Sequence, residues 1–134
     1  MGFSVSASTA IIFAGMFLAF GTLYPAVSNG YEQVIDAETD RDNAQLDMQN
    51  TDIEIDSISD SSITVNNTGS TSLTVSNVDV VVNGDYVTEY STTVDGDSNT
   101  DLWLPGESLE ITGLSSANRI KVVADHGISA TKVV

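Results

Sequence analysis

The opening stretch MGFSVSASTAIIFAGMFLAFGTLYPAVSNGY contains no charged side chain, and the first one, Glu32, begins a run of acids. An uncharged segment of that length has few stable surroundings. Residues 4–27, wound as a helix at about 1.5 Å per residue, extend roughly 36 Å, enough to cross a hydrocarbon layer of about 30 Å with some tilt. The centre is rich in Ile, Phe, Leu, Ala and Met, and Tyr24 stands where an interfacial aromatic belongs. Gly15 and Gly21 allow close helix approach without forming the GxxxG spacing. A cleavable secretory signal wants a positively charged start, and no Lys or Arg precedes the apolar run. The segment is therefore expected to be retained as a transmembrane anchor over residues 1–30. The rest of the chain is too small to enclose it as a core helix.

The remainder is strongly acidic. There are 19 Asp plus Glu against 4 Lys plus Arg, a formal net charge of −15. That field repels phosphate backbones, so nucleic acid is excluded as a partner. It also repels anionic bilayer surfaces, which leaves the apolar segment to make the membrane contact. Two readings of the acidity stand: a surface for cations or a basic partner, and a solvated face suited to very high salt, as in halophiles. The scatter of the acids favours the second, because a Debye length of roughly 3 Å at molar salt makes the self-repulsion tolerable. Without Cys there is no disulfide and no thiolate chemistry. All 19 acids follow the apolar segment. In an inside-negative cell, moving each one outward is favoured by roughly 2.3 kcal/mol per 100 mV, which predicts a single-pass protein with its bulk outside.

Residues 31–50 read as a helical stalk or linker. Val34, Ala37, Ala44 and Met48 share one face, interrupted by Arg41. Pro25 and the Asn29-Gly30 pair are expected to kink or break the junction with the anchor. From residue 51 the pattern changes to short alternating runs: DIEIDSI, SITV, SLTV, VDVVV, ESLEI, RIKVV and ATKVV. The alternation slips between Val75 and Val78, which places a bulge or bend at Asn77. Asn83-Gly84 between apolar runs is a type I′ hairpin signal, because both turn residues must take positive φ. About seven strands over 51–134 predict a mainly β fold, an immunoglobulin-like antiparallel sandwich carried on the helix. The expected interior is Ile55, Ile63, Val65, Leu73, Val75, Val80, Val82, Trp103, Leu109, Ile111, Ile120 and Val122.

Little in the chain points to catalysis, and an enzyme is not expected. His126, the sole histidine, precedes Gly127 in a turn and reads as a surface residue. The serines have no nucleophile-elbow context and no Gly-rich phosphate loop occurs. In VDGDSNTD, Asp95, Asp97, Asn99 and Asp101 alternate as calcium-loop oxygens do. Thr100, however, stands where the sharp-turn glycine belongs and Gly106 where the bidentate acid belongs, so this is a weak calcium candidate beside a plain acidic loop. No cofactor is expected. Asn66-Asn67-Thr68 is a glycosylation sequon, which makes Asn66 a candidate if the domain is outside.

The N-terminal MGFSVSASTAIIF, the exit GTLYPAVSNGYE, the acidic linker, VNNTGSTSLTVSNVDVVVNGDYV and TDLWLPGESLEIT together resemble the FlaF family of archaellum (archaeal flagellum) accessory proteins, of a haloarchaeal type. The likeness runs over nearly the whole chain. It implies a membrane-anchored β-sandwich between the membrane and the surface layer (S-layer). There it would bind S-layer protein, act with FlaG as a stator of the archaellum motor in motility, and carry no catalytic residues. A homodimer or a FlaG contact through exposed sheet edges is a further expectation. The rival readings are an archaellin- or pilin-like filament subunit with an N-terminal assembly helix, and a generic membrane-tethered adhesion or solute-binding domain. The filament reading is disfavoured by the absence of a basic residue before Gly2.

Overall fold

The computed structural model describes residues 2–134; Met1, the first residue of the expected anchor, lies outside them. The chain divides into two compact units, Met1–Asp42 and Asn43–Val134.

One helix, α1 (Gly2–Asn50), supplies all of the first unit and the start of the second. None of its described residues is buried. It runs through Pro25 and through Asn29-Gly30 without interruption, so the expected break at that junction is not there. Proline removes one donor, whereas ending the helix there would leave several backbone groups without partners, which is costly in apolar surroundings. The hydroxyls in the uncharged half are satisfied locally: Ser6, Ser8, Thr9 and Thr22 donate to the carbonyls of Gly2, Ser4, Val5 and Leu18, each four residues back.

The second unit is a β-sandwich of ten strands: β1 (Ile53–Ile58), β2 (Ser62–Asn67), β3 (Leu73–Thr74), β4 (Asp79–Val82), β5 (Asp85–Val87), β6 (Ser91–Val94), β7 (Leu102–Trp103), β8 (Ser108–Thr112), β9 (Arg119–Val123) and β10 (Ser129–Val133). They form one sheet of order β1-β2-β8-β6, a second of order β10-β9-β4-β5, and the small pair β3-β7. Every pairing is antiparallel. The seven alternating runs account for most of the ladder. The SLTV run contains the two-residue β3, whereas the polar STTV of β6 and the two-residue β7 carry too little pattern to be read from sequence alone.

The core comes from inward residues of both main sheets, and all twelve residues expected inside are buried. Ile53, Val78, Val94, Leu114 and Ala124 complete it. Trp103 has no exposed surface, and its indole N–H donates to the Glu107 carbonyl at 2.9 Å. The slip between Val75 and Val78 is a single 3-10 turn, Val75–Asn77, which resets the alternation so that both flanking valines point inward. Asn83 (φ 54°) and Gly84 (φ 100°) both take the left-handed region, as the β4–β5 hairpin demands.

Helix and sandwich meet within the second unit at a close backbone contact. The Asn50 carbonyl, at the end of α1, accepts the Ser70 amide at 2.7 Å, and the Asp52 carbonyl accepts Thr68 and Gly69 amides at 3.0 Å. Buried Thr51 donates its hydroxyl to the Asp47 carbonyl at 2.6 Å. Terminal helix carbonyls thus find partners in the β2–β3 turn. Gly69 makes the approach possible, since a Cβ there would lie 2.5 Å from both the Asn50 oxygen and the Asp52 nitrogen. Beneath this turn lies Asn67, the one fully buried amide. Its side chain donates to the Thr71 carbonyl at 2.9 Å and the Trp103 carbonyl at 3.3 Å, and accepts from the Gly69 amide at 3.2 Å. Its backbone pairs with Glu107 and Gly106. The NTGST and LPGES segments are therefore a single hydrogen-bonded unit.

Two predictions follow from this packing. Gly69→Ala must displace backbone rather than a flexible side chain, and should lower stability by roughly 1–3 kcal/mol. Urea unfolding of the whole chain in detergent, read by Trp103 emission, tests this; an unchanged midpoint refutes it. The second concerns Tyr90, whose hydroxyl donates to the Val78 carbonyl and ties the β5–β6 crossover to the start of β4. Burial, then the charge of Asp79, holds its pKa above the ordinary 10.0. The folded state binds this proton more tightly than the unfolded chain, so its contribution is fully present below pH 10 and lost as pH climbs through the raised value. Tyr90→Phe should cost about 1 kcal/mol at neutral pH. It should also make stability fall less steeply above pH 10 than in the wild type.

Candidate functional site

The first candidate is α1 itself. It is long and apolar enough to cross a membrane by length and composition: an 18-residue window has mean hydropathy 1.9 and none of it is buried. Phe13, Met16, Phe17 and Phe20 form a wholly apolar strip along one side.

Of the residues singled out for chemistry, Asp95 and Asn66 both meet Ser108, while Asp97 and Asp101 take other partners. Asp95 accepts the Ser108 amide at 3.0 Å, and Asp97 accepts the Asn99 amide at 2.8 Å. Asp101 accepts both the Ser76 amide (2.7 Å) and the Ser76 hydroxyl (3.0 Å). Each carboxylate of the candidate calcium loop thus binds its own loop partner. Among the described residues no group of three or more His, Asp or Glu is arranged to hold a metal. The left-handed pair Asp95 (φ 47°) and Gly96 (φ 90°) makes a tight turn closed by the Val94–Asp97 bridge. Asn66 lies on the outward side of β2, its carboxamide oxygen accepting from the Ser108 hydroxyl at 2.7 Å. His126 is exposed in a 3-10 turn with φ 61°.

What sequence reasoning missed is that acids serve as loop fasteners. Asp125 accepts the Thr74 amide at 2.7 Å and the Asn77 side-chain amide at 2.8 Å, so the Val75–Asn77 turn is held by Asp125 from one side and Asp101 from the other. Glu107 accepts the Leu104 amide at 2.8 Å. Asp79 accepts the Tyr86 hydroxyl at 2.7 Å, and that hydrogen bond, with the Asp79 charge, raises the Tyr86 pKa. No local spacing announces the Asp125 and Asp101 contacts, which join residues 51 and 25 apart.

The cations are unevenly distributed. Lys132 is occupied, its ammonium donating to the Ile55 and Asp56 carbonyls at 3.2 and 2.8 Å, where the register of β1 slips. This joins β10 to β1, the edge strands of the two sheets on that side. Arg119 and Lys121 are both exposed on β9 and line an open depression with Val81, Asn83, Gly84 and Asn118.

The protein is thus a helix-borne antiparallel β-sandwich whose polar residues organise loops and surfaces. No protein-family model matches the sequence, and no curated protein matches it. Among solved structures it is similar to the archaellum periplasmic stator protein FlaG from Sulfolobus acidocaldarius, with 20% identity and a TM-score of 0.42, covering 63% of this chain and 99% of that one. That likeness is too slight to fix a function.

Removing the Asp125 carboxylate should release the Val75–Asn77 turn. Asp125→Ala is expected to cost about 1–3 kcal/mol, as for charge-assisted hydrogen bonds left without an acceptor. It should also speed amide exchange at Thr74, a local signature that hydrogen–deuterium exchange would detect; wild-type protection at Thr74 would refute the role.

Proposed function

We propose that this chain is a membrane-anchored structural component of the archaellum motor that binds S-layer protein through its sandwich and acts with a FlaG-type partner as a stator. In this reading residues 1–30 are the anchor, 31–50 the stalk and 51–134 the extracytoplasmic domain, lying between membrane and S-layer at the archaellum base. The observation that carries it is the union of a span-competent helix with a sandwich hydrogen-bonded to that helix's last turn. The sequence resemblance to the FlaF family supports it independently.

The physical logic is mechanical. A rotary machine that turns a filament needs a fixed body to react against. A fluid bilayer yields under sustained shear, whereas a crystalline surface lattice resists it. A chain moored in lipid at one end and carrying a closed β-domain at the other can link the two, provided its parts transmit load instead of unfolding locally. Backbone–backbone contacts at the end of α1, a sandwich edge closed by Lys132, and acid-fastened loops all suit that task. It requires no catalytic residue or cofactor. The acidic surface would remain soluble at molar salt, the setting proposed for this protein.

A filament subunit has a related layout, so the alternative remains an archaellin- or pilin-like role. N-terminal sequencing separates them, since a mature chain starting at Phe3 marks filament processing.

The stator reading predicts that the full chain in nanodiscs captures purified S-layer protein in molar salt. It also predicts that a deletion strain assembles filaments poorly or swims defectively. Absence of capture at every salt concentration, or normal swimming of the deletion strain, would sink it.

A further inference from the structure

Four basic residues stand in a chain of 19 acids, and two of them occupy one depression of about 490 Å³ on the outer face of the second sheet. Arg119 and Lys121 are two apart on β9, so both point outward, about 7 Å apart along the strand. Their ladder neighbours are neutral: Val133 and Thr131 on β10, and Val81 opposite Lys121 on β4. Among the described residues no acid lines the depression. The carboxylate nearest along β4, Asp79, is engaged by the Tyr86 hydroxyl. Two like charges thus sit side by side, and the depression itself holds no acid to pair with them, in a protein with acids to spare.

The rim is preorganised. The Asn83 carboxamide oxygen accepts the Asn118 and Arg119 amides at 2.9 and 3.0 Å, and the Asn83 amide donates to the Arg119 carbonyl at 2.8 Å. The Val134 amide is bonded to the Asn118 carbonyl at 2.9 Å. The Arg119 end of the segment bearing the two cations is thus tied to both flanking strands' ends before any ligand arrives, which lowers the ordering cost of binding. Val81 floors the site, and exposed Tyr86 and Val133 extend an apolar strip on either side.

We infer that this depression receives an extended, acid-bearing segment of a partner protein, with alternate carboxylates contacting Arg119 and Lys121. The carboxylates of an extended chain repeat every second residue, matching the separation of the two cations. Arg119 supplies the planar fork suited to a carboxylate. An anionic bilayer fits less well, because it would bring a plane of charge against the whole acidic surface, whereas one segment meets only this spot. Salt weakens contact pairs at about 3 Å less than it weakens the longer-range repulsion. The inference deepens the stator reading by naming the face that meets the S-layer protein, and it rests on that reading for the partner's identity.

The test uses the full chain in zwitterionic nanodiscs at 0.5 M KCl and a fluorescent peptide with Asp at alternate positions and Val or Thr between. The peptide should bind, and Arg119→Gln/Lys121→Gln should weaken it at least tenfold while Trp103 emission stays native. Arg41→Gln should leave binding unchanged, and a peptide with Asn for Asp should bind at least tenfold more weakly. Failure of the wild type to bind the peptide, equal binding by the double variant, or equal competition by glycerol phosphate would overturn the inference. Purified S-layer protein then separates the two claims. If it binds wild type and double variant alike, the face is wrong and the stator reading stands. If it binds neither while the peptide still discriminates, the face stands and the stator reading falls.

Discussion

The buried carboxamide of Asn67 and the glycine two residues later hold together what the rest of the molecule requires. The Asn67 side chain bonds to Thr71, Gly69 and Trp103, and so shapes the turn that receives the last carbonyl of α1. A buried amide without partners would cost free energy, but here both its donor and its acceptor functions are used. Indeed, among the described residues no buried side-chain nitrogen or oxygen lacks a partner. With Gly69 allowing backbone to lie on backbone, the helix ends on a polar, directional contact that leaves little room for slippage. A purely apolar contact there would permit more sliding, because burial has no preferred direction.

The acids divide the labour in the same spirit. A solvated acidic surface accounts for their number, but not for the placement of Asp95, Asp101, Glu107 and Asp125, whose carboxylates accept backbone amides at strand ends and turns. Small two-sheet domains without disulfides rely on their core and on loop hydrogen bonds to suppress local opening. Here the loops near the small β3-β7 pair are fastened by charge-assisted bonds, while the remaining carboxylates stay in water. Acidity thus combines solubility with local rigidity, and both suit the load-bearing role proposed for this protein.

Much of this was legible in the residues. The uncharged opening announced a helix needing apolar surroundings, and period-two alternation placed all twelve expected core residues inside. Asn83-Gly84 declared its hairpin because few residues tolerate positive φ twice in succession. Less legible were β6 and β7, whose strand character comes from neighbours and not from pattern. Spacing along the chain did not report which amide each carboxylate of the weak calcium candidate meets. Asp95, Asp97 and Asp101 turned to different amides, and the cation pair on β9 became a feature only once β4, β10 and the Asn83 turn were set beside it.

The sequence by itself determined the division into an apolar helix and an alternating β-domain, the identity of the core and the sign of the surface. Those properties follow from local periodicity and from the transfer of side chains out of water, which each residue carries with it. Tertiary structure alone decided which amide each acid meets, why residue 69 has to be glycine, and which cations are left facing solvent. Those depend on contacts between segments far apart in the chain, where a shift of an ångström exchanges one partner for another.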